Sequence, residues 1–555
     1  MNEPLEGFVP YPAQIAQEYR RRGYWKGKTL GEHLKDWVAR FDERIAIVAD
    51  ERRISYRELG RQTANAATHL AALGIRRGDR VVMQLNNVPE FLYLMFGLME
   101  IGALPVMALP AHRDSEIRYL IDFSGAVAYA APLELRGFNY LDMARRIAPG
   151  APSLKHLLIA GDDLPQGADV HSIGAMLSKS NPAGEALVEQ QRPSSSDVAF
   201  FLLSGGTTGL PKLIPRTHDD YQYNFDAAAA VSGLSEDSVY LIALPISHNF
   251  PLGSPGALGV FSRGARIVLA PSPSPETAFP LVERERVTMT AHVPAVTIQW
   301  LASPLREKYN LSWLRLLQVG GSRLSAQVAA RVQPLLGATV QQVYGMAEGL
   351  LNFTHVDDPQ EVLFNTQGRP LSPADEIRIV DWAGAAAAPG EPGELLTRGP
   401  YTIRGYYKAP EHNAKAFTED GFYRTGDVVR LRTSGNLSVE GRVKDLINRG
   451  GEKISAEEVE DLILRHPAVL NVAVVAMPDP VLGEKVCAFV IARDQAVLSL
   501  EELRQFMDAT GIAKFKLPER LQVVERFALT TVGKISKKDL REEIAAKLRA
   551  EGKTD

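Results

Sequence analysis

The stretch AFFLLSGGTTGLPK, residues 199–212, carries the main signal for fold and chemistry in this chain. Its first five residues are apolar, which is typical of a buried strand. The glycines that follow let the backbone approach a ligand closely, and Ser204, Thr207 and Thr208 add hydroxyl groups. Lys212 adds a positive charge, so the segment suits the β- and γ-phosphates of a nucleotide. The alternative is a surface turn rich in small residues, which the preceding strand and the following lysine disfavour.

About the first 440 residues alternate between short apolar segments and longer helical patterns. Residues 80–85 precede a helical pattern at 88–99, and residues 314–319 precede one at 326–333. This alternation predicts an α/β domain with parallel strands. From about residue 370 to 441, short strands and many glycines predict a small β subdomain. Residues 445–555 predict a compact α+β domain.

Composition excludes several classes of protein. A chain of 555 residues is too long for one ordinary core, and a net charge of -4 argues against a nucleic-acid partner. The only cysteine, Cys487, can form neither an internal disulfide nor a multi-cysteine metal site, so we expect a cytoplasmic location. The N-terminal residues carry several glutamates and no apolar segment typical of a secretory signal.

The apolar stretch FLYLMFGLMEIGALPVMALP, residues 91–110, raises the question of a membrane span. Glu100 lies in its middle, and a carboxylate at the centre of a bilayer is costly. Gly102 and Pro105 also interrupt it. We therefore expect no membrane partner, but a buried helix that ends near Gly102 and is followed by a buried strand.

Four further segments carry side chains suited to nucleotide chemistry. Tyr344 offers a flat face for a purine, and Glu348 offers a hard oxygen ligand for Mg²⁺. Asp427, expected in a tight turn, can accept the hydroxyls of a ribose. Paired glycines among charged residues at 441–454 suit a hinge, and Lys534 follows a glycine in a loop. Each segment alone is weak, since it equally fits a core aromatic, a solvated acid, a polar connector or a surface lysine.

In their order and spacing, these five segments resemble the adenylate-forming superfamily of acyl-CoA synthetases, luciferases and nonribosomal peptide synthetase adenylation domains. Within it, the whole chain resembles the stand-alone aryl-acid adenylating enzymes of siderophore biosynthesis. Ala347 departs from the pattern, because many members have Thr there and gain a hydroxyl contact to phosphate. The stretches that carry the resemblance are LPAHR (109–113), SGGTTGLPKLIPRTH (204–218), SHNFPLGSPG (247–256), LLQVGGSRL (316–324), QVYGMAEGLLNFT (342–354), NTQGRPLSP (365–373), RGPYTIRGYY (398–407) and INRGGEKI (447–454).

The resemblance implies an N-terminal core domain at 1–441, built from two α/β subdomains and the β subdomain, and a small mobile C-terminal lid at 445–555. The hinge would lie at 442–445 and centre on Lys444. The implied reaction uses ATP and Mg²⁺ to convert a small aromatic carboxylic acid into its acyl-AMP with release of pyrophosphate. The acyl group would then pass to the phosphopantetheine thiol of an aryl carrier protein.

The resemblance also implies roles for individual residues. Lys534, His248 and Glu348 would be catalytic, with Glu348 also binding the metal, and Gly451 would line the entry for the thiol. ATP would be bound by Ser204, Gly205, Gly206, Thr207, Thr208, Gly209, Lys212, Gly320, Gly321, Val343, Tyr344, Gly345, Met346, Ala347, Asp427 and Arg442. The aryl acid would be bound by Asn249, Phe250, Ser254, Gly321, Gly345 and Leu351.

The identity of the acid depends on a few of these positions. Asn249 fits a 2-hydroxyl group, since an unpaired buried amide disfavours unsubstituted benzoate. Ser254 can bond a 3-hydroxyl, which favours 2,3-dihydroxybenzoate, whereas the bulk of Leu351 leans toward salicylate. Phe250, where Tyr is common, decides nothing. A heteroaromatic acid such as 3-hydroxypicolinate stays open.

Three other functions compete with this hypothesis. An aryl-CoA ligase shares the first half-reaction but uses free coenzyme A, and the aryl-acid motifs disfavour it. A nucleotide-binding regulatory protein would not need a mobile lysine such as Lys534. A P-loop kinase would need the Gly-Lys-Ser/Thr ending of a Walker A loop, which residues 204–212 lack. The basic region around 514–538 suits an acidic carrier protein and equally a solvated helical face.

Overall fold

The computed structural model describes residues 4–161, 164, 167, 169–204, 211–450, 452–493, 496–530 and 534–553. The chain folds into two compact units. The first comprises Met1–Phe364, Gly368–Glu376 and Thr397–Tyr423, and the second comprises Asn365–Gln367, Ile377–Leu396 and Arg424–Asp555. The predicted hinge at 442–445 lies within the second unit and stays a prediction.

Two large sheets organise the first unit. Their central strands are parallel, as predicted, and antiparallel strands lie at some edges. The first sheet has the spatial order Arg369–Pro370, Gly349–Phe353, Thr339–Met346, Leu316–Gly320, Met289–His292, Val239–Ile242, Arg266–Leu269, Ile45–Ala49, Arg52–Ser55. The second has the order Leu213–Thr217, Val198–Leu203, Leu104–Met107, Arg80–Met83, Ala128–Pro132, His156–Ala160, Val170–Ser172. Strands Glu134–Leu135 and Phe138–Asn139 pair separately.

Helices cover both faces of each sheet. One core is shared by the two sheets and by the helices between them, which include Tyr56–Ala72, Pro89–Glu100 and His218–Val231. Each sheet has a second apolar face with its own core. The other helices that lie wholly or mainly in this unit are Ala13–Arg21, Leu30–Phe41, Asp114–Ser124, Tyr140–Ile147, Ile173–Ser178, Pro182–Gln190, Asn249–Gly253, Gly256–Ser262, Pro275–Glu285, Pro294–Ala302, Ala326–Leu336, Gln360–Asn365 and Pro410–Ala416.

The apolar stretch at 91–110 forms a buried helix followed by a buried strand, as predicted. Helix Pro89–Glu100 is buried at every position from Phe91 to Met99, because it contributes to the core between two sheets. A helix buried on all sides must be apolar on all sides. Strand Leu104–Met107 follows and is fully buried. Across the described residues, no helix combines the length and hydropathy needed to cross a bilayer.

The second unit contains two antiparallel-rich sheets. One has the order Glu376–Val380, Gly393–Arg398, Tyr423–Leu431, Leu437–Arg442. The other has the order Glu452–Ile454, Ile447–Arg449, Gly483–Ala492, Val469–Asp479, with Arg520–Val523 also pairing with Gly483–Ala492. Its helices are Ala456–Ile463, Leu500–Asp508 and Lys537–Ala550.

Strand alternation in the second unit separates two small cores. Val472 and Val474 face a core with helices Ala456–Ile463 and Leu500–Asp508, whereas Ala473 and Val475 face helix Lys537–Ala550. Ser455 caps the first of these helices by accepting from the Glu458 N–H. Burial in the second core raises the pKa of Cys487 to about 12, so this thiol is inert.

Helix Pro182–Gln190 packs so closely on helix Tyr56–Ala72 that Gly184 tolerates no side chain. A Cβ there would overlap the backbone carbonyl of Thr68. We expect Gly184→Ala to lower the free energy of unfolding by about 1–3 kcal/mol through overpacking. Gly174→Ala is the matched control, because a Cβ at this helical glycine would meet only Ser172 Oγ at 3.7 Å. Thermal denaturation should show that Gly184→Ala has a lower Tm than the parent protein, whereas Gly174→Ala has the same or a higher Tm. If the two variants have the same Tm, the close packing at Gly184 is contradicted.

Candidate active site

The loop expected to bind phosphate joins two antiparallel strands and is clasped at its base. Strand Val198–Leu203 leads into it, and strand Leu213–Thr217 leaves it. The Ser204 N–H donates to the Lys212 carbonyl (3.0 Å), and the Lys212 N–H donates to Ser204 Oγ (2.9 Å). The Ser204 hydroxyl hydrogen can still donate to a ligand. Five of the proposed ATP-binding residues lie outside the described residues, namely Gly205, Gly206, Thr207, Thr208 and Gly209.

The expected acid-binding residues Asn249 and Ser254 lie side by side and are buried. Asn249 Oδ1 accepts a hydrogen bond from the Tyr221 hydroxyl (2.9 Å), and Asn249 Nδ2 lies 3.5 Å from Ser254 Oγ. The segment begins at His248, whose Nδ1 accepts from the Phe250 N–H (3.3 Å). The amide of Asn249 is therefore held firmly on its carbonyl side and only loosely on its amino side.

Two glycines permit close approach between other expected site residues. A Cβ on Gly320 would lie 2.9 Å from the Val343 carbonyl oxygen and 3.0 Å from the Phe250 ring. A Cβ on Gly345 would overlap the side chain of Leu351, its partner in the register of the sheet. The absence of side chains at both positions lets Phe250, Val343 and Leu351 contribute to one core. Next to Gly320, Gly321 is exposed and has a φ of +83°, which only glycine adopts readily.

Glu348 follows the strand Thr339–Met346, which includes Tyr344, Gly345 and Met346. Its side chain is buried and accepts a hydrogen bond from the Tyr406 hydroxyl (2.7 Å), which also lies 2.9 Å from the Tyr423 hydroxyl. Burial, with the nearby charge of Glu348, raises the pKa of Tyr406 well above its ordinary value. Lys212 Nζ lies 5.9 Å from the centre of the Tyr406 ring, so Tyr406 links the end of the phosphate loop with Glu348.

Sequence reasoning did not single out Asp375, whose carboxyl is connected to the Leu351 backbone through Tyr401. The Leu351 N–H donates to the Tyr401 hydroxyl oxygen (3.0 Å), and that hydroxyl donates to Asp375 Oδ2 (2.6 Å). The Ser372 N–H also donates to Asp375 (3.1 Å). Burial raises the pKa of Asp375 to about 7, despite these donors. Tyr401 lies within a stretch that carries the family resemblance, but its partners are 26 and 50 residues away.

The second unit carries the remaining expected site residues. Asp427 Oδ1 accepts from Arg442 Nε (2.6 Å), and the two residues are register partners in neighbouring strands. The prediction that Asp427 lies in a tight turn is therefore wrong, because strand Tyr423–Leu431 runs through it and accommodates Gly426 at a φ of +67°. Gly451 lies outside the described residues.

Two lysines of the second unit lie in short connections. Lys444 belongs to the single turn Val443–Asp445, and burial together with the charge of Arg442 lowers its pKa. The N–H of the half-buried Lys534 donates to Thr530 Oγ1 (3.1 Å), and its carbonyl accepts from the Thr530 N–H (2.6 Å). Thr530 thus holds Lys534 at its backbone.

Comparison with known proteins gives consistent matches over the whole length. The sequence profile of the AMP-binding enzyme family matches residues 34–407, and that of the AMP-binding enzyme C-terminal domain matches 458–534. A relative from Bacillus subtilis (strain 168), 2,3-dihydroxybenzoate-AMP ligase, is 51% identical over 98% of this chain and 99% of its own. A salicyl-AMP ligase / salicyl-S-ArCP synthetase from Mycobacterium tuberculosis is 47% identical over 96% of this chain and 94% of its own. The apo structure of Mycobacterium smegmatis MbtA has 45% identity and a TM-score of 0.74, covering 97% of this chain and 99% of that one.

The raised pKa of Asp375 predicts a pH-dependent stability. The folded protein retains a proton that the unfolded chain releases near the ordinary pKa of 3.8. This contribution is fully present below that value and is lost as the pH rises through about 7. Asp375→Asn cannot ionise, so its Tm relative to the parent protein should rise from about pH 5 to about pH 8. Glu376→Gln, which alters the more exposed neighbour paired with Arg398, should follow no such profile. A pH-independent difference for Asp375→Asn would refute the assigned titration.

Proposed function

Because this chain belongs to the AMP-binding enzyme family, we propose that it activates a 2-hydroxylated aryl acid as its acyl-AMP, with 2,3-dihydroxybenzoate favoured over salicylate. The acyl group then passes to the phosphopantetheine thiol of an aryl carrier protein. The observation that carries this proposal is the buried amide of Asn249, fixed by Tyr221 beside Ser254. The names of relatives that match nearly the full chain support both the acid and the acceptor.

Recognition of the 2-hydroxyl group is assigned to Asn249. Its amide nitrogen has only a weak contact at 3.5 Å, so a substrate hydroxyl would improve its hydrogen bonding. Benzoate cannot supply that partner and would leave a buried polar group poorly paired, at a cost of about 1–3 kcal/mol. Ser254 is positioned for a neighbouring 3-hydroxyl, which is the reason for favouring 2,3-dihydroxybenzoate. The bulk of Leu351 keeps salicylate as the main alternative.

The assignment of residues to ATP follows the family resemblance. Ser204 and Lys212 at the base of the loop would contact the β- and γ-phosphates, Gly320, Gly321 and Tyr344 would border the adenine, and Asp427 would accept from the ribose hydroxyls. Arg442 would hold the Asp427 carboxylate in place through their hydrogen bond. The exposed backbone at Gly321 supports this assignment, since no side chain stands between it and a flat ligand.

In the first half-reaction, the acid's carboxylate attacks the α-phosphorus, the new acyl–phosphate bond forms and pyrophosphate leaves. Negative charge on the phosphoryl oxygens is the main barrier, so positioned cations are the protein's main contribution. We assign this role to Lys534 and to Lys212. His248 borders the reacting groups as the cap of the Asn249 helix.

Enzymes of this family use ATP together with Mg²⁺, and the bound ion neutralises part of the phosphate charge. No cluster of three or more acidic, His or Cys ligands occurs in the part of the chain that the structure describes. Mg²⁺ is commonly held by one or two carboxylates together with phosphate oxygens, so a single glutamate fits. A carboxylate has about four lone-pair directions, so the bond from Tyr406 leaves Glu348 compatible with a cation.

In the second half-reaction, Lys534 would leave the site and the phosphopantetheine thiol would enter it. We assign the change of state to a hinge at 442–445 around Lys444, between a core at 1–441 and a lid at 445–555, with Gly451 at the thiol entry. Lys444 lies in one turn between two sheets of the second unit, which is a short connection able to absorb a change of backbone angles.

ATP–pyrophosphate exchange across a panel of aryl acids tests the proposed function. We expect exchange with 2,3-dihydroxybenzoate and salicylate, and far less with benzoate or 3-hydroxybenzoate. Transfer to a holo aryl carrier protein should exceed transfer to free coenzyme A. If no hydroxybenzoate supports exchange, the proposed substrate class is wrong. If transfer to coenzyme A is faster than transfer to the carrier protein, coenzyme A is the acceptor instead.

Ser254→Ala should separate the two favoured acids. Loss of the hydroxyl should lower kcat/KM for 2,3-dihydroxybenzoate by roughly tenfold and leave salicylate nearly unchanged. Ser262→Ala is the matched control, because its Oγ donates to the Gly259 carbonyl and has no contact with Asn249 in the structure. Equal losses for both acids would remove the reason for preferring the dihydroxy acid.

Lys534→Ala tests the assigned cation. It should reduce exchange by at least about a hundredfold while ATP binding, measured by calorimetry, stays nearly unchanged. Lys538→Ala is the control, since Lys538 is exposed and pairs with Glu542. Full exchange activity in Lys534→Ala would refute the role.

A further inference from the structure

Arg216 is one of the largest fully buried side chains of the first unit. It is the last residue but one of strand Leu213–Thr217, which leaves the phosphate loop, and its side chain has no exposure to solvent. Its guanidinium makes three hydrogen bonds. Nε donates to Asp220 Oδ1 (2.8 Å), Nη1 to the Ala347 carbonyl (2.8 Å) and Nη2 to the Tyr401 carbonyl (3.1 Å).

The two carbonyls belong to segments that carry proposed site residues. Ala347 directly precedes Glu348, and the Glu348 carbonyl in turn accepts from the Ile403 N–H (2.8 Å). Tyr401 uses its hydroxyl to accept from the Leu351 N–H, at the floor of the proposed acid pocket. Arg216 therefore holds the backbone directly before Glu348 and, through Tyr401, supports the backbone of Leu351.

The face of the same guanidinium supports the other side of the pocket. Its central carbon lies 4.8 Å from the centre of the Tyr221 ring, within the range of a cation–π contact. The Tyr221 hydroxyl donates to Asn249 Oδ1. Tyr221 also packs edge-on against Phe200 at 4.7 Å, so the ring is held between that residue and the cation.

We propose that Arg216 is a positioning residue that couples the acid-binding amide of Asn249 to the metal-binding carboxylate of Glu348. It touches neither substrate. It acts through Tyr221 on one side and through the Ala347 and Tyr401 carbonyls on the other. A displacement of this guanidinium would therefore disturb acid recognition and metal binding together.

The chemistry of the site requires arginine. A charged side chain that is buried away from water needs a partner of opposite charge and a full set of hydrogen bonds, since each buried ion costs several kcal/mol to desolvate. Burial is the largest single influence and opposes the charge, but the Asp220 carboxylate together with the nearby Tyr221 and Tyr11 offsets it, so the pKa of Arg216 is raised. A planar fork can reach three acceptors in fixed directions and present a flat face to Tyr221 at once. Lysine keeps the charge, but it has neither the planar set of N–H donors nor the flat surface of a guanidinium.

The test compares two pairs of variants of the full chain. Arg216→Lys keeps the charge, and the double variant Arg216→Met with Asp220→Asn removes the pair without leaving one charge unpaired. The matched controls are Arg263→Lys and Arg263→Met with Asp226→Asn. Arg263 and Asp226 form an ion pair that uses the same helix, His218–Val231, but no hydrogen bond of theirs reaches the Asn249 or Glu348 segments in the structure.

Hydrogen–deuterium exchange without ligand gives the readout that is independent of activity. Both Arg216 variants should speed exchange by roughly tenfold or more at amides 249–254 and 347–353, since a lost charge-assisted hydrogen bond releases these segments. The Arg263 variants should leave both segments unchanged. Unchanged exchange at either segment in the Arg216 variants would overturn the coupling.

Steady-state exchange kinetics with salicylate gives the second readout, and it rests on the proposed function. Arg216→Lys should raise the KM for salicylate and the Mg²⁺ concentration for half-maximal rate, each by roughly tenfold. A merely structural role would lower kcat and leave both concentrations unchanged, which would overturn the proposal. If the parent protein shows no exchange with any aryl acid, the proposed function fails, whereas the deuterium-exchange pattern still decides the role of Arg216.

Discussion

The buried ion pair between Arg216 and Asp220 constrains how the first unit can be built. An interior charge is tolerated only when each donor and acceptor is satisfied. Asp220 meets that condition locally, since Thr217 donates to it from both its N–H and its hydroxyl. Arg216 meets it only if the chain brings the Ala347 and Tyr401 carbonyls to within hydrogen-bonding distance. The Arg216 guanidinium thereby joins three parts of the chain: the strand after the phosphate loop, the segment before Glu348 and the segment before Tyr406.

Much of the fold was predictable because it follows from local periodicity. The strand at 199–203, the all-apolar helix at 88–99 and the alternating strands of the C-terminal region each have a pattern visible within a few residues. The parallel order of the central strands also follows from strand–helix alternation. Asp427 shows the limit of this reasoning. Gly426 beside it suggested a turn, but pairing with strand Leu437–Arg442 extends the strand through both residues.

The site was less predictable, because its supports come from distant parts of the chain. Arg216 lies 131 residues from Ala347 and 185 from Tyr401, and no local pattern encodes these contacts. Asp375 likewise depends on Tyr401 for its partner. Among the expected acid-binding residues, Asn249 and Ser254 lie side by side, and Gly345 permits the close approach of Leu351. The residues that hold them were missed because nothing in their local sequence distinguishes a buried support from an ordinary polar residue.

In the proposed function, the amide of Asn249 is the group that recognises the 2-hydroxyl of the acid. The most direct measurement is the ratio of kcat/KM for salicylate over benzoate in ATP–pyrophosphate exchange, for the parent protein and for Asn249→Leu. We predict a ratio of about ten to a hundred in the parent, because benzoate leaves a buried amide poorly paired, and a ratio near one in the variant. A ratio that is the same in both proteins would contradict the claim.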